Sequence, residues 1–117
     1  MSEPARVLKF PKIARPRVQV TLWAGPGQPS EAGLRAQLTA DGYQVVRWAS
    51  EPATGYPPHL HIYPETIWLV AGSLTVLLPA EDRLLELGPG DRAEMPAGLV
   101  HGTLAGPDGA VYLLATR

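Results

Sequence analysis

Apolar residues in this chain come in short runs, and glycine or proline closes nearly every run. Residues 18–23 (VQVTLW) alternate enough for a strand. Residues 24–29 (AGPGQP) form a turn cluster. Ser30 then caps a predicted helix from Glu31 to about Ala40, with the acid Glu31 in the first turn, where the helix dipole favours it. Leu34 and Leu38, four apart, give this helix a single apolar stripe. Asp41-Gly42 stops it.

After Gly42 the pattern is strand and turn to the end. Residues 43–49 read as a strand, rich in β-branched and aromatic side chains, and residues 51–58 (EPATGYPP) as a loop. Strands follow at 59–63 and 65–70, around Pro64. Ala71-Gly72-Ser73 reads as a hairpin turn into a strand at 74–78. Later turns at 79–83, 88–91, 96–98 and 106–109 lead into strands at 84–87, 92–95, 99–104 and 111–115. About nine short strands at near-even spacing predict an all-β closed barrel or jelly roll with one short helix near the N-terminus.

Composition sharpens this picture. The chain has 117 residues and a formal net charge of −1, which fits one compact domain able to bury a core. Twelve glycines and 13 prolines would suggest low complexity if they lay in tracts, but they sit between apolar runs and mark turns. The absence of cysteine excludes a disulfide framework, a thiolate metal site and a thiol nucleophile. Near-neutral charge gives no support for nucleic acid as a partner. The apolar run at 67–71 is far too short to cross a bilayer, and no N-terminal segment has signal-peptide character. The expectation is a soluble cytoplasmic protein with no membrane partner.

The first 17 residues carry five of the ten positive charges (Arg6, Lys9, Lys12, Arg15, Arg17). Prolines 4, 11 and 16 exclude a continuous helix there. The expectation is an extended arm over residues 1–17, lying on the domain or on a twin subunit, and a barrel over residues 18–117. A basic arm for an acidic partner is the alternative, though nucleic-acid-binding arms are usually denser in charge.

The candidate chemistry lies in three histidines. His59 and His61 are two apart, so on a strand they leave the same face, and Glu65 keeps that parity. His101 lies far along the chain, just after Pro96-Ala97-Gly98. A barrel can bring these strands together across its interior. Three imidazoles and a carboxylate suit a divalent transition metal such as Mn, Fe, Ni, Cu, Co or Zn. A closed structural zinc site would more often use cysteines. A lone histidine on a strand is ordinarily a surface or satisfied core residue, so the surrounding glycines and prolines must decide.

Their spacing resembles the cupin superfamily. The first cupin motif is written G-x5-H-x-H-x3,4-E-x6-G. Gly55-YPP-His59-Leu-His61-IYP-Glu65-TIWLVA-Gly72 reproduces it with a shortened first gap. The second is G-x5-P-x-G-x2-H-x3-N. Gly90-DRAEM-Pro96-Ala-Gly98-LV-His101-GTL-Ala105 reproduces it with Ala105 in place of Asn. The resemblance implies a conical double-stranded β-helix with His59, His61, Glu65 and His101 as metal ligands. It also implies a homodimer, in which the N-terminal arm could pair with the twin's sheet edge.

Cupins include dioxygenases, isomerases, epimerases, lyases, decarboxylases, storage proteins and sugar-binding regulators, so fold does not settle function. The leading expectation is a metal-dependent, oxygenase-like enzyme acting on a small organic molecule. No histidine is left over as a general base, so Glu65 or a metal-bound hydroxide would do that work. A sugar isomerase or epimerase would want cationic phosphate contacts, for which only Arg47 and Arg92 lie near the motifs. A non-catalytic small-molecule binding or sensing module is the alternative from another class. Tyr43, Arg47, Trp48, Tyr56, Tyr63, Trp68 and Tyr112 are the candidates to line or rim a mostly apolar pocket.

Overall fold

Strands dominate the computed structural model, which describes Ala5 and residues 17–117. The expected arm over residues 1–17 therefore lies, apart from Ala5 and Arg17, outside the described residues. In chain order the elements are β1 (Gln19–Thr21), α1 (Glu31–Ala40), β2 (Gln44–Ser50), β3 (Gly55–His59), β4 (Glu65–Leu78), β5 (Arg83–Leu87), β6 (Arg92–Met95) and β7 (His101–Thr116). A single 3-10 turn, Pro79–Glu81, separates β4 from β5.

The helix forms where its local signals lie. Ser30 Oγ accepts the Gly33 N–H at 3.2 Å, so one free donor of the first turn is satisfied. Leu34 and Leu38 pack with Trp68, Leu113 and Ala115 on the outer side of the sheet. Leu38 is fully buried, which contributes about 2 kcal/mol over an exposed position. Gly42, at φ +85°, carries the chain out of the helix into β2.

The sheet is antiparallel throughout, in the order β1-β6-β4-β7-β2, with β3 on β7 and β5 on β4. Alternation along the two central strands divides the interior. Ile67 and Leu69 of β4 and Tyr112 of β7 enter the barrel core, whereas Trp68 and Leu113 face the helix. Among the described residues no helix is long and apolar enough to cross a membrane.

Two expectations are corrected here. The hairpin turn at Ala71-Gly72-Ser73 and the turn at 106–109 do not separate strands. Both lie inside the long strands β4 and β7, which pair with each other on either side of the bend. Gly72 (φ +77°) and Gly109 (φ +78°) meet across the ladder, and a Cβ on Gly72 would collide with the Gly109 carbonyl. Positive φ serves a bulge here, because the partner strand continues alongside. Seven described strands replace the expected nine, since β4 and β7 each contain two of the expected ones.

The strand expected at 59–63 is also displaced. Residues 55–59, expected to be mostly loop, form β3, and the chain leaves the ladder after His59. Pro57 and Pro58 have no N–H to give, and the register shifts between Tyr56 and His59.

Candidate metal centre

Strand ends converge at one mouth of the barrel. His59 ends β3, His101 begins β7, and the two are direct partners in the ladder. Glu65 begins β4, just after Pro64. His61 lies in the irregular segment between β3 and β4, so strand parity does not bring it to His59. A backbone hydrogen bond positions it instead. The Gly98 N–H donates to the His61 carbonyl at 2.7 Å, tying that segment to the turn before His101. Gly98 sits at φ +78°, which that turn demands.

The cluster is tight. One nitrogen from each of His59, His61 and His101 lies within 4.8 Å of the others. Glu65 Oε2 is 3.6 Å from His61 Nε2, and Oε1 is 3.7 Å from His101 Nε2. His101 is buried, His61 half-buried and His59 exposed. The His61 ring stacks on Tyr63, with centroids 4.9 Å apart and planes 22° apart. The Glu65 carboxylate facing its Nε2 raises the His101 pKa from its ordinary value, against the opposing effect of burial.

The ring tautomers test whether these residues fit a metal. His59 Nδ1 lies 3.0 Å from the Pro57 carbonyl, and His101 Nδ1 lies 3.0 Å from the Leu99 carbonyl. A carbonyl only accepts, so in each neutral ring Nδ1 carries the hydrogen. That leaves the lone pair on Nε2, the nitrogen that His101 turns toward Glu65. Such a backbone-fixed tautomer is how proteins prepare a histidine to ligate. Nitrogen and carboxylate donors without sulfur fit a divalent first-row transition ion.

A cavity of about 360 Å³ opens over the cluster. Its walls include Trp48, Tyr56, Ile67, Thr103, Tyr112 and Leu114. Of the aromatic candidates, Trp48, Tyr56 and Tyr112 therefore line it, and Tyr63 touches it only through His61. Burial raises the Tyr112 phenol above its ordinary pKa, so it stays protonated.

Tyr43, Arg47, Trp68 and Arg92 do not line the cavity. Trp48 pairs with Tyr112 and shares its face of the sheet, which puts Arg47 on the opposite face, bonded to Glu31 at 3.1 Å. Trp68 packs under the helix and donates its indole N–H to the Gly90 carbonyl at 2.7 Å. Arg92 lies over the Trp68 and Tyr43 rings and pairs with Glu94 at 2.9 Å. Sequence reasoning missed Ile67 and Thr103. Parity could have found both, because each lies two residues beyond a cluster member at a strand start, Glu65 and His101.

No protein-family model matches the chain, and no curated protein does. Solved structures do. The polyketide cyclase RemF from Streptomyces resistomycificus is 30% identical over 67% of this chain and 58% of its own, with a TM-score of 0.59. Bacillus subtilis oxalate decarboxylase, a protein with Mn(II) centres, is 27% identical over 64% of this chain, with a TM-score of 0.58. A cupin-2 domain protein from Shewanella frigidimarina shares the fold at 21% identity, over 64% of this chain and 71% of its own, with a TM-score of 0.55. The chain has the cupin fold. It spans 58% of the RemF chain and 21% of the oxalate decarboxylase chain. Ala105, which replaces the motif's last residue, is buried in the barrel core and donates its backbone N–H to Thr54. It takes no part in the histidine cluster.

Proposed function

We propose that this cupin-fold protein is a metal-dependent, oxygenase-like enzyme. It would hold one divalent transition ion on His59, His61, Glu65 and His101 and act on a small organic molecule in the cavity above. The observation that carries the reading is the pair of Nδ1 nitrogens tied to the Pro57 and Leu99 carbonyls beside a third imidazole and a carboxylate. The Mn(II) centres of the oxalate decarboxylase and the enzymatic activity of RemF support it. A bound ion would supply Lewis acidity and attachment points for substrate oxygens.

The chain's own residues would do the rest. Among the described residues Glu65 is the one carboxylate on the cavity wall, and it is the candidate proton acceptor. Tyr112 offers a neutral phenol to a substrate oxygen. The sugar isomerase alternative loses support, because neither Arg47 nor Arg92 lines the cavity. A homodimer belongs to the same proposal. The edge strand β2, with Val46 exposed, is one edge open to such pairing, and a concentration-independent monomer in sedimentation would contradict the dimer.

The test is elemental analysis of the purified protein beside His59→Ala and His101→Ala. The expected result is about one ion per chain in the parent and loss in both variants. Stoichiometric metal in either variant overturns the ligand assignment. Oxygen-uptake screening of phenols, thiols, diketones and keto acids with the metal restored then separates an oxygenase from a binding module.

A further inference from the structure

The cavity over the histidines selects by charge. No lysine or arginine lines it among the described residues, and its one carboxylate is Glu65. Arg47 and Arg92 spend their guanidinium groups on Glu31 and Glu94, on the outer side of the sheet. A phosphate ester or dicarboxylate would shed its hydration here with no cationic side chain to replace it. A metal ion would offset charge at one end of such a ligand only.

The cavity also selects by shape. Trp48 and Tyr56 meet edge to face, centroids 5.8 Å apart and planes 72° apart, and each leaves 38% of its surface open. Pro57 and Pro58 extend the same apolar collar. Water gains little from rings held this way, and a flat ligand laid against them removes apolar surface with little side-chain ordering. Deeper in the wall, the hydroxyl-bearing Thr103 and Tyr112 are buried near the cluster. The two hydroxyl-bearing residues are the direct strand partners of the two aromatic ones, so hydrogen-bonding groups lie beside the rings, and the ligating cluster shares the same cavity.

We infer that the ligand of this cavity is a flat, conjugated, uncharged molecule bearing hydroxyl or keto oxygens. Its ring system lies against Trp48 and Tyr56, and its oxygens point to the histidine–glutamate cluster. The oxygen end rests on the metal-site reading above, whereas the aromatic end stands without it. Trp48 and Tyr56 are then the specificity-determining residues.

The experiment titrates three probes, 2,3-dihydroxynaphthalene, oxalate and glucose 6-phosphate, into manganese-loaded and metal-free protein by calorimetry. The diol is expected to bind manganese-loaded protein at least about ten-fold more tightly than either anion. Trp48→Ala and Tyr56→Ala should each weaken the diol by about ten-fold or more, with metal stoichiometry unchanged. Tyr56→Phe should bind as the parent does, and so should Arg47→Ala. Either variant alone carries the test if the other misfolds. Equal or tighter binding of either anion overturns the proposal, and so does unchanged diol affinity in a folded alanine variant. If the parent takes up no metal, the metal-site reading fails. Dependence of residual diol binding on Trp48 in metal-free protein then still decides the aromatic end.

Discussion

Gly72 is where the two long strands of the barrel depend most on a missing side chain. It sits at φ +77°, and an added Cβ would collide with the Gly109 carbonyl of the paired strand. Gly72→Ala therefore costs two things. The left-handed backbone conformation costs an L-residue about 1–2 kcal/mol. The collision is with backbone in a hydrogen-bonded ladder, so no side chain can swing aside, and the strands must part around Ala110. Separation there strains a ladder that orders both Glu65 and His101 at the ends of the same strands. A total of about 3 kcal/mol or more is expected, a large part of an ordinary domain's 5–15 kcal/mol. Gly42→Ala is the control. It has the same backbone sign, at φ +85°, and nothing within 4 Å of the added Cβ, so it bears the conformational term alone. Urea unfolding of both variants, with the slope m checked for constancy, measures the difference. The expected gap is about 2 kcal/mol, with Gly72→Ala the worse. Equal losses in the two variants would refute the bulge argument.

Other expectations follow from the cluster and the core. Protons and metal compete for His101, whose pKa is raised by Glu65, so this pair stabilises the metal-free protein below the ordinary histidine pKa and stops doing so as pH rises through the raised value. Metal binding runs the other way, and the thermal shift on adding metal should grow from about pH 6 to pH 8; a shift that shrinks over that range would contradict competition at His101. Leu38→Ala should cost about 2–4 kcal/mol in chemical unfolding, because the side chain is fully buried under the helix. The same variant should keep its full metal content, since Leu38 packs on the outer side of the sheet. Ser30→Ala should lower stability by about 1 kcal/mol through loss of the cap to Gly33, read as a fall in the thermal midpoint.

How much was legible in advance depended on whether a signal was local. The helix was readable to its ends, because Ser30, the Leu34–Leu38 stripe and Asp41-Gly42 act within one or two turns of themselves. The all-β class was readable too, from turn residues spaced between apolar runs. The meaning of Gly72 was not. Positive φ is common to a hairpin and a bulge, and only the strand lying alongside decides between them. The cluster of His59, His61, Glu65 and His101 was found by motif spacing, yet the parity argument for His61 does not describe how it arrives. Its position comes from the Gly98 hydrogen bond, a contact between segments far apart in the chain.

The sequence by itself determined the helix and the all-β class, since capping and turn chemistry are short-range properties, and its motif resemblance named four side chains that only long-range pairing brings together at the barrel mouth. Tertiary structure decided which neighbours of those side chains share their cavity. Trp48 and Arg47 are adjacent in the chain, and nothing local says which faces inward. Register against Tyr112 and Leu113 puts the indole on the wall of the histidine cavity and the guanidinium on Glu31. Pleating sends successive residues to opposite faces, so one residue of register separates an apolar cavity from a cationic one.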